Sequence, residues 1–205
     1  MENSLSSTVQ RIIERLEIKN QVRDETLQRS RRLIRTCNLV TRAIHRHALD
    51  EARALLTQAR DQARDLVTPL SEHPDLYYTG YTNDALKEWV EAEVLFAIVA
   101  GEEVPTPEHL NVPDAAYLGG LAEAATELRR HILDLMRHQR LAEAETLLNW
   151  MDDIYDNLIL ISYPDAITGN LRRQVDVLRG VLERTRGDLT LTWEHERLRA
   201  ALKAG

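Results

Sequence analysis

No proline or glycine interrupts the chain before Pro69. These are the two residues that most readily end a helix, so the N-terminal third can form very long ones. Apolar residues in it recur at helical steps: Leu5, Val9, Ile12 and Leu16, then Leu33, Cys37, Val40 and Ile44. The pattern predicts one helix over the first 48 or so residues, with a break near Asn20 as the one alternative.

The same period continues downstream, and no segment has the alternation of a strand. Asp50 and Glu51 suit the start of a second helix reaching about Val67. Prolines and a glycine mark a loop from Thr68 to Gly80. A third helix, capped by Asn83 or Asp84, should end near Gly101. After a proline-rich loop, a fourth runs from Asp114 to about His138 and a fifth from Leu141 to about Leu160. Tyr163-Pro164-Asp165 ends one helix and starts the next. The last spans about Ala166 to Ala204, weakened by Gly169, Gly180 and Gly187. The expectation is an all-α bundle of six or seven helices in a single domain, 1–205. Apolar residues spread beyond one stripe imply that some faces bury against other subunits.

Composition narrows the chemistry. Cys37 is the only cysteine, which excludes an intrachain disulfide and a cysteine-based zinc site. The polar segment Met1 to Leu16 lacks the apolar core of a secretion signal, and nothing approaches the ~20 apolar residues of a membrane span. A cytoplasmic protein is expected. The net charge of −7 argues against nucleic acid at first sight. Yet the basic residues are nearly all arginine, whose planar fork suits phosphate. Carboxylates gathered around metal ions would themselves make a nuclease acidic.

On the third helix, Asp84, Glu88 and Glu91 are spaced four and three apart and share a face, while Glu93 points away. On the fourth, Glu123 and Glu127 are one turn apart, and Glu123 sits in a run of small and apolar residues. Two such pairs on neighbouring helices can form the oxygen-rich site that Mg2+ or Mn2+ prefers. The competing reading is solvated acids or salt bridges, which spacing alone leaves open. A di-iron bundle would need Glu three residues before His on two helices, and none of the seven histidines has it.

On the first helix, Arg31, Arg35, Arg42 and Arg46 form a stripe opposite the apolar set, with Asn38 and His45 on or beside it. Such a row can follow a phosphate backbone, or it can be a solvated face. The arginines of the last helix have Asp176 and Glu183 among them and are expected to pair internally. His131, one turn after Glu127, is either a helper in binding or a surface residue.

Four segments resemble the translin superfamily: Ser30 to Arg46, Glu88-Trp-Val-Glu-Ala92, Tyr117 to Leu128, and Tyr163 to Thr190. They occur in the family's order and cover the chain from about Arg29 to Thr190. Translin itself binds single-stranded RNA and DNA, and its partner, translin-associated factor X, holds Mg2+ on acidic residues and cleaves RNA. The resemblance implies catalytic, metal-holding acids at Glu88, Glu91, Glu123 and Glu127. It also implies a homo-oligomeric, roughly octameric hollow shell around the nucleic acid. Because translin lacks acids at the positions of Glu88 and Glu91, the chain looks like the nuclease branch, with a non-catalytic RNA- or DNA-binding shell as the alternative. It departs from the family in having Glu123 where Asp is usual. Its segment Thr79 to Lys87 is also hardly basic, which leaves the Arg31, Arg35, Arg42 and Arg46 stripe to hold nucleic acid. A scaffold without nucleic acid is a further alternative.

Overall fold

The computed structural model describes residues 4–204, so residues 1–3 and 205 of the expected domain lie outside the described part. Among the described residues there is no strand. Six long helices carry the architecture: α1 (Ser4–His45), α2 (Leu49–Val67), α4 (Gly80–Ala100), α6 (Asp114–Arg137), α7 (Leu141–Leu158) and α9 (Leu171–Ala204). Three one-turn helices, α3 (Pro74–Tyr77), α5 (Pro107–Leu110) and α8 (Asp165–Thr168), sit in the connections, with a 3-10 turn at Thr68–Glu72. None of the helices is long and apolar enough to cross a membrane.

The uninterrupted first segment does form one helix, without a break at Asn20. Its second half lays Leu33, Cys37, Val40 and Ile44 into the core. Its first half stands clear of the bundle, leaving Leu5, Val9, Ile12 and Leu16 exposed. Helix α4 is the central element, packed against α1, α2, α6 and α7. Its run from Trp89 to Ile98 is apolar on almost every side and buried on most of it. Each large side chain buried there contributes about 1.5–3 kcal/mol.

Several boundaries differ from the sequence expectation. Helix α4 begins at Gly80, before Asn83, because Pro74–Tyr77 already forms a helical turn that hands the chain on. Helix α2 begins at Leu49, and Asp50 lies inside its first turn instead of capping it. The last helix begins at Leu171: Gly169 (φ 61°) and Asn170 (φ 67°) are both left-handed and reverse the chain after α8. Gly180 and Gly187 stay within α9, where a side chain would meet open space.

The contact that matters most for the site is α4 against α6. A Cβ at Gly120 would lie 2.5 Å from Val90 Cβ and 2.8 Å from the Lys87 carbonyl oxygen. The helices touch there, backbone to side chain, because Gly120 has nothing to interpose.

Candidate metal centre

Just beyond the Gly120–Val90 contact, the two helices turn their acids toward each other. One ligand oxygen from each of Glu88, Glu91 and Glu123 lies within 4.8 Å of the other two. All three residues are half-buried. They line a cleft of about 540 Å³ that also takes in Asp84 and Glu127, with Arg173 and Gln174 contributed by α9. Glu93 points away, as its place on the helix predicts, and its buried carboxylate pairs with Arg60 at 3.1 Å.

Glu88 and Glu91 have no hydrogen-bond or ion-pair partner among the described residues. Burial, with the charges of Glu88, Glu123 and Glu127, pushes the Glu91 carboxyl up to about 8. Burial, with the charge of Glu123, raises that of Glu88. Carboxylates crowded and half-desolvated in this way are poorly compensated. The donors are all hard oxygens, without sulfur or imidazole, and they fit a hard divalent cation such as Mg2+ or Mn2+.

The two acids of α6, by contrast, each have partners within the protein. Glu123 Oε1 accepts hydrogen bonds from Lys87 Nζ at 2.6 Å and from Gln174 Nε2 at 3.2 Å. Glu127 lines the cleft but stands outside the group of three. Its Oε2 accepts from His45 Nε2 at 2.9 Å. That hydrogen bond, opposed in part by burial, holds the Glu127 carboxyl below the usual carboxylate range.

His45 therefore leaves the arginine stripe on which its spacing put it: it is buried and ties α1 to α6. His131 is buried too, with its ring centroid 4.9 Å from that of His47. Burial, then the neighbouring His47 and His45, pushes His131 down to about 4. Arg31, Arg35 and Arg42 are exposed on α1, and Arg46 is exposed just past its end. Arg46 pairs with Glu51 at 2.9 Å, whereas Arg31, Arg35 and Arg42 have no ion-pair partner among the described residues. Asn38 is turned back to its own helix, donating to the Ile34 carbonyl at 3.0 Å. In α9, Arg179 pairs internally with Asp176 at 3.4 Å, but Arg186 reaches across to Asp152 of α7.

Lys87, Gln174 and His45 are the polar partners that sequence spacing missed. Lys87 had a faint signal: it is a rare lysine among arginines, one turn before Glu91. Gln174 and His45 look like the polar flanks of buried stripes.

No family model matches the chain. It is 34% identical to the uncharacterized protein MJ0175 of Methanocaldococcus jannaschii over 194 residues, 94% of this chain and 86% of that one. Among solved structures, AfC3PO in complex with duplex RNA superposes with a TM-score of 0.85 at 31% identity, covering 93% of this chain and 98% of that one. AfC3PO alone gives the same score and identity, with 93% and 99% covered. Apo-NeC3PO, at 19% identity and a TM-score of 0.81, shares the fold over 94% of this chain and 98% of its own.

Proposed function

The chain belongs to the translin superfamily, and from that premise we propose that it is a metal-dependent endoribonuclease acting on single-stranded or short RNA. The observation that carries this reading is the approach of Glu88, Glu91 and Glu123 to within 4.8 Å. The complex of AfC3PO with duplex RNA supports RNA as the substrate class.

In this reading Mg2+, or Mn2+, is held by Glu88, Glu91 and Glu123, with Glu127 beside them. When bound, the ion supplies water activation and charge stabilisation at the phosphate. The protein's own groups do the rest. Gln174 orients Glu123, and His45 orients Glu127. Arg173, on the wall of the cleft, is available to a phosphate oxygen. Arg31, Arg35 and Arg42 hold phosphates farther along α1, joined by Arg46 once it leaves Glu51. The whole chain acts as one cytoplasmic domain. Copies join through the exposed apolar residues of α1 and α9, such as Leu5, Leu16, Leu198 and Leu202, into a hollow, octameric shell.

The direct test is incubation of the native protein with labelled single-stranded and duplex RNA in Mg2+, in Mn2+ and in EDTA. Products in either metal and none in EDTA are expected. The alternative is a shell that binds single-stranded RNA or DNA without cutting it. It is favoured by the fact that Glu123 and Glu127 each already have a partner from their own chain. Tight binding in EDTA with no product in either metal would establish it.

The arginines have their own expected outcome. Replacing Arg31, Arg35 and Arg42 together by alanine weakens RNA binding and lowers the slope of log affinity against log salt by about two, three phosphates at ~0.7 each. An unchanged slope in fluorescence anisotropy would remove α1 from the binding surface.

A further inference from the structure

Glu123 is the acid of the triad with a cation already on it. Lys87 Nζ lies 2.6 Å from Glu123 Oε1, with both side chains largely withdrawn from solvent, 22% and 31% exposed. Among the described residues, no other lysine or arginine forms an ion pair with Glu88, Glu91 or Glu123. Three acids therefore share one ammonium.

The arrangement depends on Gly119. A Cβ there would stand 3.1 Å from Lys87 Cδ and 3.2 Å from Gln174 Oε1, tighter than ordinary packing. The bare backbone at Gly119 lets the lysine stem lie across α6 and lets Gln174 come in from α9. Both then donate to the same carboxylate oxygen.

A divalent ion held by the triad would lie close to this ammonium, and the two positive charges would repel each other in the half-buried cleft. We propose that Lys87 is the resident counter-cation of the carboxylate triad and competes with the divalent ion for Glu123, setting the metal concentration at which the site fills. This rests on the metal-binding reading above. It assigns Lys87 a role apart from binding substrate: the lysine holds the acids together when metal is scarce and yields Glu123 when metal is abundant.

The test is Mn2+ titration of the full chain, read by the electron paramagnetic resonance signal of the free ion, for native protein, Lys87→Met, Lys87→Gln and Lys87→Arg. Loss of the positive charge is expected to tighten Mn2+ binding about tenfold in both Lys87→Met and Lys87→Gln. Lys87→Arg should stay near the native affinity. Lys87→Gln can keep a hydrogen bond to Glu123, so it separates loss of charge from loss of contact, and it stands in if Lys87→Met fails to fold. Unchanged or weaker binding in the neutral variants would overturn the proposal and leave Lys87 as a mere prop for Glu123. Adding Glu88→Gln and Glu91→Gln to the native chain isolates the premise. If Mn2+ binding survives that pair of changes, the metal lies elsewhere and the metal-centre reading itself falls.

Discussion

Glu91→Gln and Glu123→Ala should each slow cleavage of a labelled RNA by about a hundredfold or more while leaving RNA binding intact. Glu91 is the most heavily perturbed acid of the triad, with its carboxyl raised to about 8. A proton and a metal ion compete for such a group, so Mn2+ affinity in the native protein should climb as pH rises through about 8. Metal-free stability should move the other way. Between the ordinary carboxylate range and about 8 the folded protein binds a proton that the unfolded chain does not, so raising pH through that window favours unfolding. Thermal melts in EDTA from pH 5 to 9 should therefore show a falling melting temperature, with a flatter curve for Glu91→Gln and relief of the fall by Mn2+. Identical pH slopes for the two proteins would mean that Glu91 is not the strained acid. Cleavage at native rates in either variant would remove the acids from the chemistry.

Gly120→Leu is expected to be the most damaging single change to the fold. Even the first carbon of a new side chain would meet Val90 Cβ at 2.5 Å and the Lys87 carbonyl at 2.8 Å. Backbone cannot step aside as a side-chain tip can, so α4 and α6 must separate. Overpacking typically costs about 1–3 kcal/mol, and at this backbone contact the upper end or beyond is expected. At about 2–4 °C per kcal/mol for a chain of this size, the melting temperature should fall by roughly 6–12 °C. Separation would also draw Glu123 away from Glu88 and Glu91, so Mn2+ affinity should drop in whatever protein still folds. A melting temperature within a degree or two of native would show that the helices can part cheaply.

Much of the helix order was legible because periodicity and proline placement are local signals. The pairing of Asp84, Glu88 and Glu91 on one face, and the turning away of Glu93, follow from 3.6 residues per turn alone. The approach of Glu123 to that face does not, because it depends on Gly120 admitting Val90, and one glycine among eight carries no such label. His45 turns inward for a reason that is likewise non-local. Its position beside the arginine stripe is real, but one step around the helix separates solvent from the Glu127 carboxylate. Local rules also overstated the glycines of α9. Gly180 and Gly187 have room around them and cost only about 1 kcal/mol each relative to alanine, which the packing of α9 absorbs. Gly169 acts as a break because Asn170 shares its left-handed backbone.

The acids of α6 are held by groups far away in sequence. Lys87 is 36 residues from Glu123, Gln174 is 51, and His45 is 82 residues from Glu127. Contacts of such range form late, after the entropy of closing long loops has been overcome. A nascent chain whose residue 174 is still within the ribosome lacks the α9 donor on Glu123. Completion of the cleft therefore waits on the last helix, because the wall that Arg173 and Gln174 supply is the last part of it to be made.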